Sequence, residues 1–311
     1  MSILRFILFL VHLGAVPYCT STNAASQQSE CIQEKTDRKS KMLTNPRSES
    51  EACLWSEKPS DGRNERSDSL TNTRAVVQLL VVFDSTLHKR FIKDSRRFWN
   101  IVRWLVHEMD TVFVESTLSN PSLRIQLADF IVTEDIMIDK DFRMVDRANR
   151  LRLSKRNVNF VDGHAVLESY TSTINTNRTR FSKKFDHCII FTSLDILKLD
   201  GDGVESDILG CTYQSSTCTH ERFSLVEYYG DMRMLLRTSL HELGHGIGGF
   251  HDGGFNTHNI DSIANHCLPR HGFIMGLPIR SSTNFLKFSN CSLADFSSYL
   301  RSTKASCLFV G

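Results

Sequence analysis

The chain has 311 residues, a formal net charge of +2 at pH 7, 41% hydrophobic and 23% charged residues. These values suit an ordinary globular protein of one large domain or two modest ones. They imply no acidic polymer as a partner, no basic stripe of the kind that binds nucleic acid is present, and no apolar run reaches the roughly 20 residues of a membrane span.

The first residues have a recognisable order. Met1–Arg5 carries one positive charge, Ile7–Val16 is mostly apolar but broken by His12, and small residues follow between Cys19 and Ala25. That order belongs to a secretory signal peptide, assigned here to residues 1–21, and it predicts a secreted, extracellular product. Residues 22–74 are poor in large apolar side chains and rich in Ser, Asn, Lys, Arg and Glu. Such a stretch buries too little surface to fold alone and reads as a largely disordered propeptide. Within it, Arg63-Asn64-Glu65-Arg66 suits a basic-specific processing protease.

Order is expected over residues 75–311. Ala75–Phe83 is a β-branched, apolar run and predicts a buried strand. Phe98, Ile101, Val102, Leu105, Met109, Val112 and Phe113 recur at helical spacing and define one apolar face. Leu123–Val132 alternates as a strand does, Val161–Ile174 reads as an amphipathic helix, and His187–Phe191 as a short apolar strand. Strands alternating with helices predict an α/β assembly around a mixed sheet. Asn177-Arg178-Thr179 is a glycosylation sequon in a polar stretch, usable on a secretory route. Asp200-Gly201-Asp202-Gly203 could be mistaken for the start of a calcium loop, but the twelfth loop position is Cys211 where a Glu is needed. It reads as a surface turn.

The chain has nine cysteines. Cys19 falls within the signal and leaves with it, and Cys31 and Cys53 lie in the polar segment. Cys188, Cys211, Cys218, Cys267, Cys291 and Cys307 all fall in the C-terminal half. In an oxidising compartment these six are expected to form disulfides, with connectivity open on spacing alone. No C-x-x-C pair supports a cysteine zinc site.

The segment from Thr238 to Asp252 concentrates the chemistry. His241 and His245 are four apart, so a helix places both imidazoles on one face. Met232–Leu240 is a suitable helical run leading into them. Two imidazole nitrogens at this spacing can reach one zinc ion at about 2.1 Å. Gly248 can end the helix and turn the chain back, so that His251 supplies a third ligand. Three protein ligands leave a position for water, and Glu242 beside it can serve as general base. The competing meaning of two histidines at this spacing is a solvated helix face. A glycine and a third histidine at fixed offsets make chance far less frequent than for H-E-x-x-H alone. His258, His266 and His271 lack ligand spacing and read as loop residues.

H-E-x-x-H-x-x-G-x-x-H followed by a methionine turn resembles the metzincin signature. Gly272-Phe273-Ile274-Met275-Gly276 is the candidate turn, with Met275 as an apolar floor beneath the metal. Asp252 directly after His251 resembles the reprolysins, the snake-venom and ADAM-type metalloproteases, and arthropod salivary and venom metalloproteases share the pattern. The resemblance covers about residues 75–309. It rests further on Val77–Asp84, Phe185–Thr192, Leu209–Cys218 with Glu221-Arg222, Phe288–Ser292 and Lys304–Leu308.

This resemblance implies a metzincin-type α/β catalytic domain: a mixed twisted sheet, long helices, an active-site helix and a small C-terminal subdomain. It implies one catalytic Zn²⁺, protein or peptide substrates, and a monomer. It also implies Cys218 paired with Cys307 and Cys267 with Cys291, which leaves Cys188 with Cys211. The family often carries an acidic residue in its first strand that helps hold a structural Ca²⁺. Here that position is Gln78, so only Asp186 speaks for calcium. No ADAM-type inhibitory cysteine block is recognisable, and Cys31 and Cys53 either block the metal or pair with each other. The alternative to an active endopeptidase is a zinc-bearing secreted protein that acts by binding a host protein or receptor.

Overall fold

The computed structural model describes residues 53–55, 74–87, 95–116, 122–132, 160–176, 184–200, 203–253 and 267–309. Residues 1–21, Cys31, Arg63–Arg66, Asn177, His258 and His266 lie outside them.

The elements in chain order are β1 (Cys53–Trp55), β2 (Arg74–Phe83), α1 (Ser95–Ser116), β3 (Ser122–Val132), β4 (Phe160–Asp162), α2 (Gly163–Thr176), β5 (His187–Thr192), β6 (Asp195–Asp200), β7 (Gly203–Ile208), β8 (Gly210–Tyr213), β9 (Phe223–Glu227), α3 (Met232–Gly246) and α4 (Asn290–Arg301), with short 3₁₀ turns at Pro269–His271 and Thr303–Phe309. A six-stranded sheet has the order β1-β8-β9-β5-β2-β3, and β4, β6 and β7 form a small second sheet. In the main sheet only β8 runs antiparallel to its neighbour β9. The result is the expected mixed α/β fold.

Side-chain alternation builds the layers. Along β2, Ala75, Val77, Leu79, Val81 and Phe83 enter one core with the apolar faces of α1 and α3, while Leu80 and Val82 enter a second core with Val166, Leu167 and Tyr170 of α2. Strand side chains project alternately to opposite faces, so a fully buried strand must be apolar on both. That is why the run from Leu79 to Phe83 is continuous. The residues read as the apolar face of α1 all lie in the first core or against it.

Two local differences from the sequence reading have clear causes. Residues 160–162 form β4 before the helix starts at Gly163, because Phe160, Val161 and Asp162 pair with Asp195, Ile196 and Leu197 of β6. At the expected turn, Asp200 of β6 pairs with Gly203 of the antiparallel β7. Residues 53–55, placed by composition in a disordered stretch, form a strand along the outer edge of β8, with Cys53 in register with Cys211. An open strand edge is a template for any extended segment, and Cys53-Leu54-Trp55 is an apolar triplet within polar surroundings.

Cys218–Cys307 and Cys267–Cys291 are disulfides, with sequence separations of 89 and 24. The third expected bond, Cys188–Cys211, is absent, because β9 stands between β5 and β8: Cys188 is in register with Phe223, and Cys211 with Leu225. Two inter-strand steps separate the pair by about 10 Å, beyond the roughly 7 Å that a disulfide can bridge. Burial pushes the Cys188 thiol far above its ordinary range, so it remains a neutral packing group.

Phe113 joins α1 to the C-terminal segment, with its ring 5.0 Å from Phe288 and 6.0 Å from Phe296. Phe113→Ala is expected to cost about 3–5 kcal/mol, read as a lower denaturant midpoint at unchanged slope. A loss under about 1 kcal/mol would show that this contact does not join the two regions.

Candidate metal centre

Helix α3 starts at Asp231, whose carboxylate accepts the N–H groups of Arg233 and Met234 at 3.0 and 3.1 Å. Such a cap supplies partners to donors that the first turn leaves bare. The same carboxylate meets Arg280 at 2.6 Å. From Met234 to Gly246 every residue is buried, so the solvated-face reading of the two histidines fails.

The helix ends where the motif requires it. Gly248 has φ +91°, and its N–H donates to His245 O at 2.9 Å while Gly249 N–H donates to Gly244 O at 2.8 Å. A Cβ at position 248 would also lie 2.8 Å from Tyr299 Cβ. Both conformation and space therefore demand glycine.

The turn brings His251 to the helical pair. The Nε2 atoms of His241, His245 and His251 lie 2.9, 2.9 and 3.0 Å apart. Among the described residues this is the one cluster of three or more potential metal ligands. Nδ1 of His241 lies 2.8 Å from Ile274 O, and Nδ1 of His245 lies 2.8 Å from Gly249 O. A carbonyl only accepts, so Nδ1 carries the proton and each Nε2 presents a lone pair to the cluster. Burial holds both imidazoles well below their ordinary pKa, and their histidine neighbours push the same way. Neutral rings with converging lone pairs suit a cation.

Glu242 is fully buried beside His241, and a Cβ at Gly210 would lie 2.5 Å from its Oε1. The carboxylate thus packs over the bare backbone that opens β8. Met275 is buried with Sδ against Gly244, between the two helical histidines. Asp252 is buried as well. Its N–H donates to Met275 O at 2.8 Å, and its Oδ1 accepts the hydroxyl of Ser289, the N-cap of α4, at 2.6 Å. His271 is exposed in the 3₁₀ turn and stays outside the cluster. Asp186 accepts the N–H of Gln78 at 2.8 Å and lies near Arg222, an environment that adds nothing to the calcium expectation.

Other contributors were not legible in the sequence. Asp295 accepts Phe250 N–H at 3.1 Å, next to His251, and burial raises its pKa to about 6. His187, read only as part of a strand, is fully buried behind α3 in a directional chain. Thr212 donates to Phe223 O, Ser224 to Thr212, His187 Nε2–H to Ser224 at 2.8 Å, and Thr217 to His187 Nδ1 at 3.1 Å. A Cβ at Gly246 would meet this ring at 2.7 Å, so the network sets how closely α3 approaches the sheet. The signal that could have found it is polar residues at inward strand positions: His187, Thr212 and Ser224.

The comparisons agree with this geometry. Residues 171–310 match the model of the reprolysin (M12B) family of zinc metalloproteases. This region is of the reprolysin type. The chain is also 30% identical over 111 residues to a hemorrhagic metalloproteinase-disintegrin-like protein, kaouthiagin, from Naja kaouthia. That match covers 35% of this chain and 25% of the relative, so the chain spans about a quarter of the relative's length. The reprolysin-type region holds the triad, both disulfides and the turn at Met275. Among the described residues no helix is long and apolar enough to cross a membrane.

Two measurements test this construction. Gly248→Ala should lower the thermal midpoint clearly more than Gly230→Ala, which has φ +110° but no atom within 4 Å of the added Cβ; equal losses would remove the Tyr299 contact from the argument. Burial depresses His187 to about 3, with nearby Arg222 adding to the effect. The unfolded chain then binds more protons below about 6.5, so stability is complete above that value and falls as pH drops toward 3. The urea midpoint of His187→Gln should depend less on pH between 7 and 5, and an unchanged dependence would clear His187.

Proposed function

We propose that the chain is a secreted zinc-dependent endopeptidase that hydrolyses peptide bonds in extracellular proteins, with His241, His245 and His251 holding the metal and Glu242 as general base. One observation carries this reading: three Nε2 atoms within 3.0 Å of one another, two with the opposite ring nitrogen bonded to a carbonyl. Zinc takes imidazole nitrogens at about 2.0–2.1 Å, and without a cation these lone pairs would face each other at a cost. When bound, zinc supplies Lewis acidity that acidifies water and polarises a peptide carbonyl.

The residues of the chain do the rest. Nδ1 of His241 and His245 keep their protons through the carbonyls they meet, which fixes both tautomers. Glu242, held against Gly210, takes the proton of the attacking water and returns it to the leaving nitrogen. Strand β8 borders the site on that side, and its outer edge can pair with an extended main chain. Pairing of β1 with that edge supports residues 22–74 as a covering propeptide, to be released by processing near Arg63–Arg66. A soluble extracellular monomer glycosylated at Asn177 completes the proposal.

The test is cleavage of a denatured protein by the full chain, secreted from an oxidising host and processed with a basic-specific protease. Chelation should abolish cleavage, and Glu242→Gln should lower it by about 10²–10⁴-fold while zinc stays bound. Protons compete with zinc for imidazole, so acidification should release metal and activity together. A folded, zinc-loaded and processed chain that cleaves nothing would replace this reading with a role in binding a protein partner.

A further inference from the structure

Arg237 stands one helical turn before His241 and is fully buried. A guanidinium does not shed its charge on burial, so its N–H groups must be met inside the protein. One terminal nitrogen donates to Phe273 O at 3.0 Å and to Gly276 O at 2.6 Å, and the guanidinium lies 5.4 Å from the centre of the Phe285 ring.

These contacts converge on the turn 273–276. Ile274 O is the carbonyl that meets Nδ1 of His241. Met275 O accepts the N–H of Asp252, the residue after His251. All four carbonyls of the turn are therefore engaged, two by Arg237, one by His241 and one by the chain that carries His251. The arginine grips the two outer carbonyls, and the two inner ones are the contacts of the histidine segments.

We propose that Arg237 is a positioning residue for the metal centre. It fixes the turn 273–276, and through that turn it sets the ring of His241 and the backbone that carries His251. It touches neither metal nor substrate. The proposal rests on the reading of the triad as a zinc site. Helix α3 then has two roles, because the element that supplies two ligands also holds the loop that orients one of them.

The experiment is titration of the metal-free full chain with zinc alone, in competition with a chromophoric chelator, together with the visible spectrum of the cobalt(II)-substituted protein. Arg237→Met keeps an unbranched chain but no donor, and should bind zinc about 10–100-fold more weakly, as loss of an outer contact to a ligand does. Arg237→Lys retains donors on a shorter, non-planar head and should recover part of that loss with a shifted cobalt spectrum. Asp110→Asn, which loosens the bidentate tie between Asp110 and Arg124 away from α3, should lower the thermal midpoint and leave zinc affinity unchanged. Should Arg237→Met fail to fold, Arg237→Lys decides: zinc affinity within about twofold of the parent and an unchanged cobalt spectrum overturn the proposal. A parent chain that binds no zinc overturns the functional reading itself, whereas a parent that binds zinc no better than folded Arg237 variants overturns only the role of Arg237.

Discussion

Two backbone carbonyls, those of Ile274 and Gly249, decide where the helical histidines point. Each takes the Nδ1 proton and so turns an Nε2 lone pair toward the same small volume. Much of the surrounding structure acts on these two atoms. Gly249 O is placed by the termination of α3 and by Gln214, whose amide donates to it at 3.2 Å. Ile274 O belongs to a turn held by Arg237, Asp252 and the N–H of Ile274 itself, which donates to Lys287 O at 2.9 Å. The helix spacing brings the rings near each other, and the carbonyls give that proximity a direction.

The sheet beneath has a matching purpose. Strands β5, β8 and β9 carry His187, Thr212 and Ser224 inward where apolar side chains would be usual, and this polar chain meets α3 at Gly246. A buried network with every donor placed is rigid, because any displacement strands a polar group away from water. On the far side, α4 closes the site: its N-cap Ser289 meets Asp252, Asp295 meets Phe250, and Tyr299 O–H donates to Thr217 O at 2.5 Å. The small residues of the motif let these layers close. Gly244 admits Met275, Gly246 admits His187 and Gly249 admits Phe296.

The legible parts of the sequence were those with periodicity or fixed spacing. The run at Val77–Phe83 and the apolar face at Phe98–Phe113 could be read because burial on a regular element leaves a periodic trace. The spacing of His241, His245, Gly248 and His251 could be read because convergence of three side chains on one point constrains distance along the chain as well as in space. Arg237, His187 and Asp295 left no such trace. Their partners at 273–276, 212–224 and 250 are joined to them by folding alone, and each residue type has ordinary uses on a surface or in a turn. The Cys188–Cys211 pairing failed for a related reason. Counting cysteines says nothing about strand order, and the insertion of β9 between β5 and β8 is a topological fact.

The disulfide between Cys218 and Cys307 joins positions 89 apart in sequence, and within that span lie α3, the triad, the turn at Met275 and α4. Peptidases in the surroundings attack exposed backbone of any folded chain. A single backbone cut anywhere inside this covalent ring opens the chain but leaves one molecule, since both new ends remain tethered through the same bond. Nicked material would keep its mass on a non-reducing gel and separate into fragments only after reduction, so damage that would shed part of an unlinked domain here leaves all three histidines on one particle.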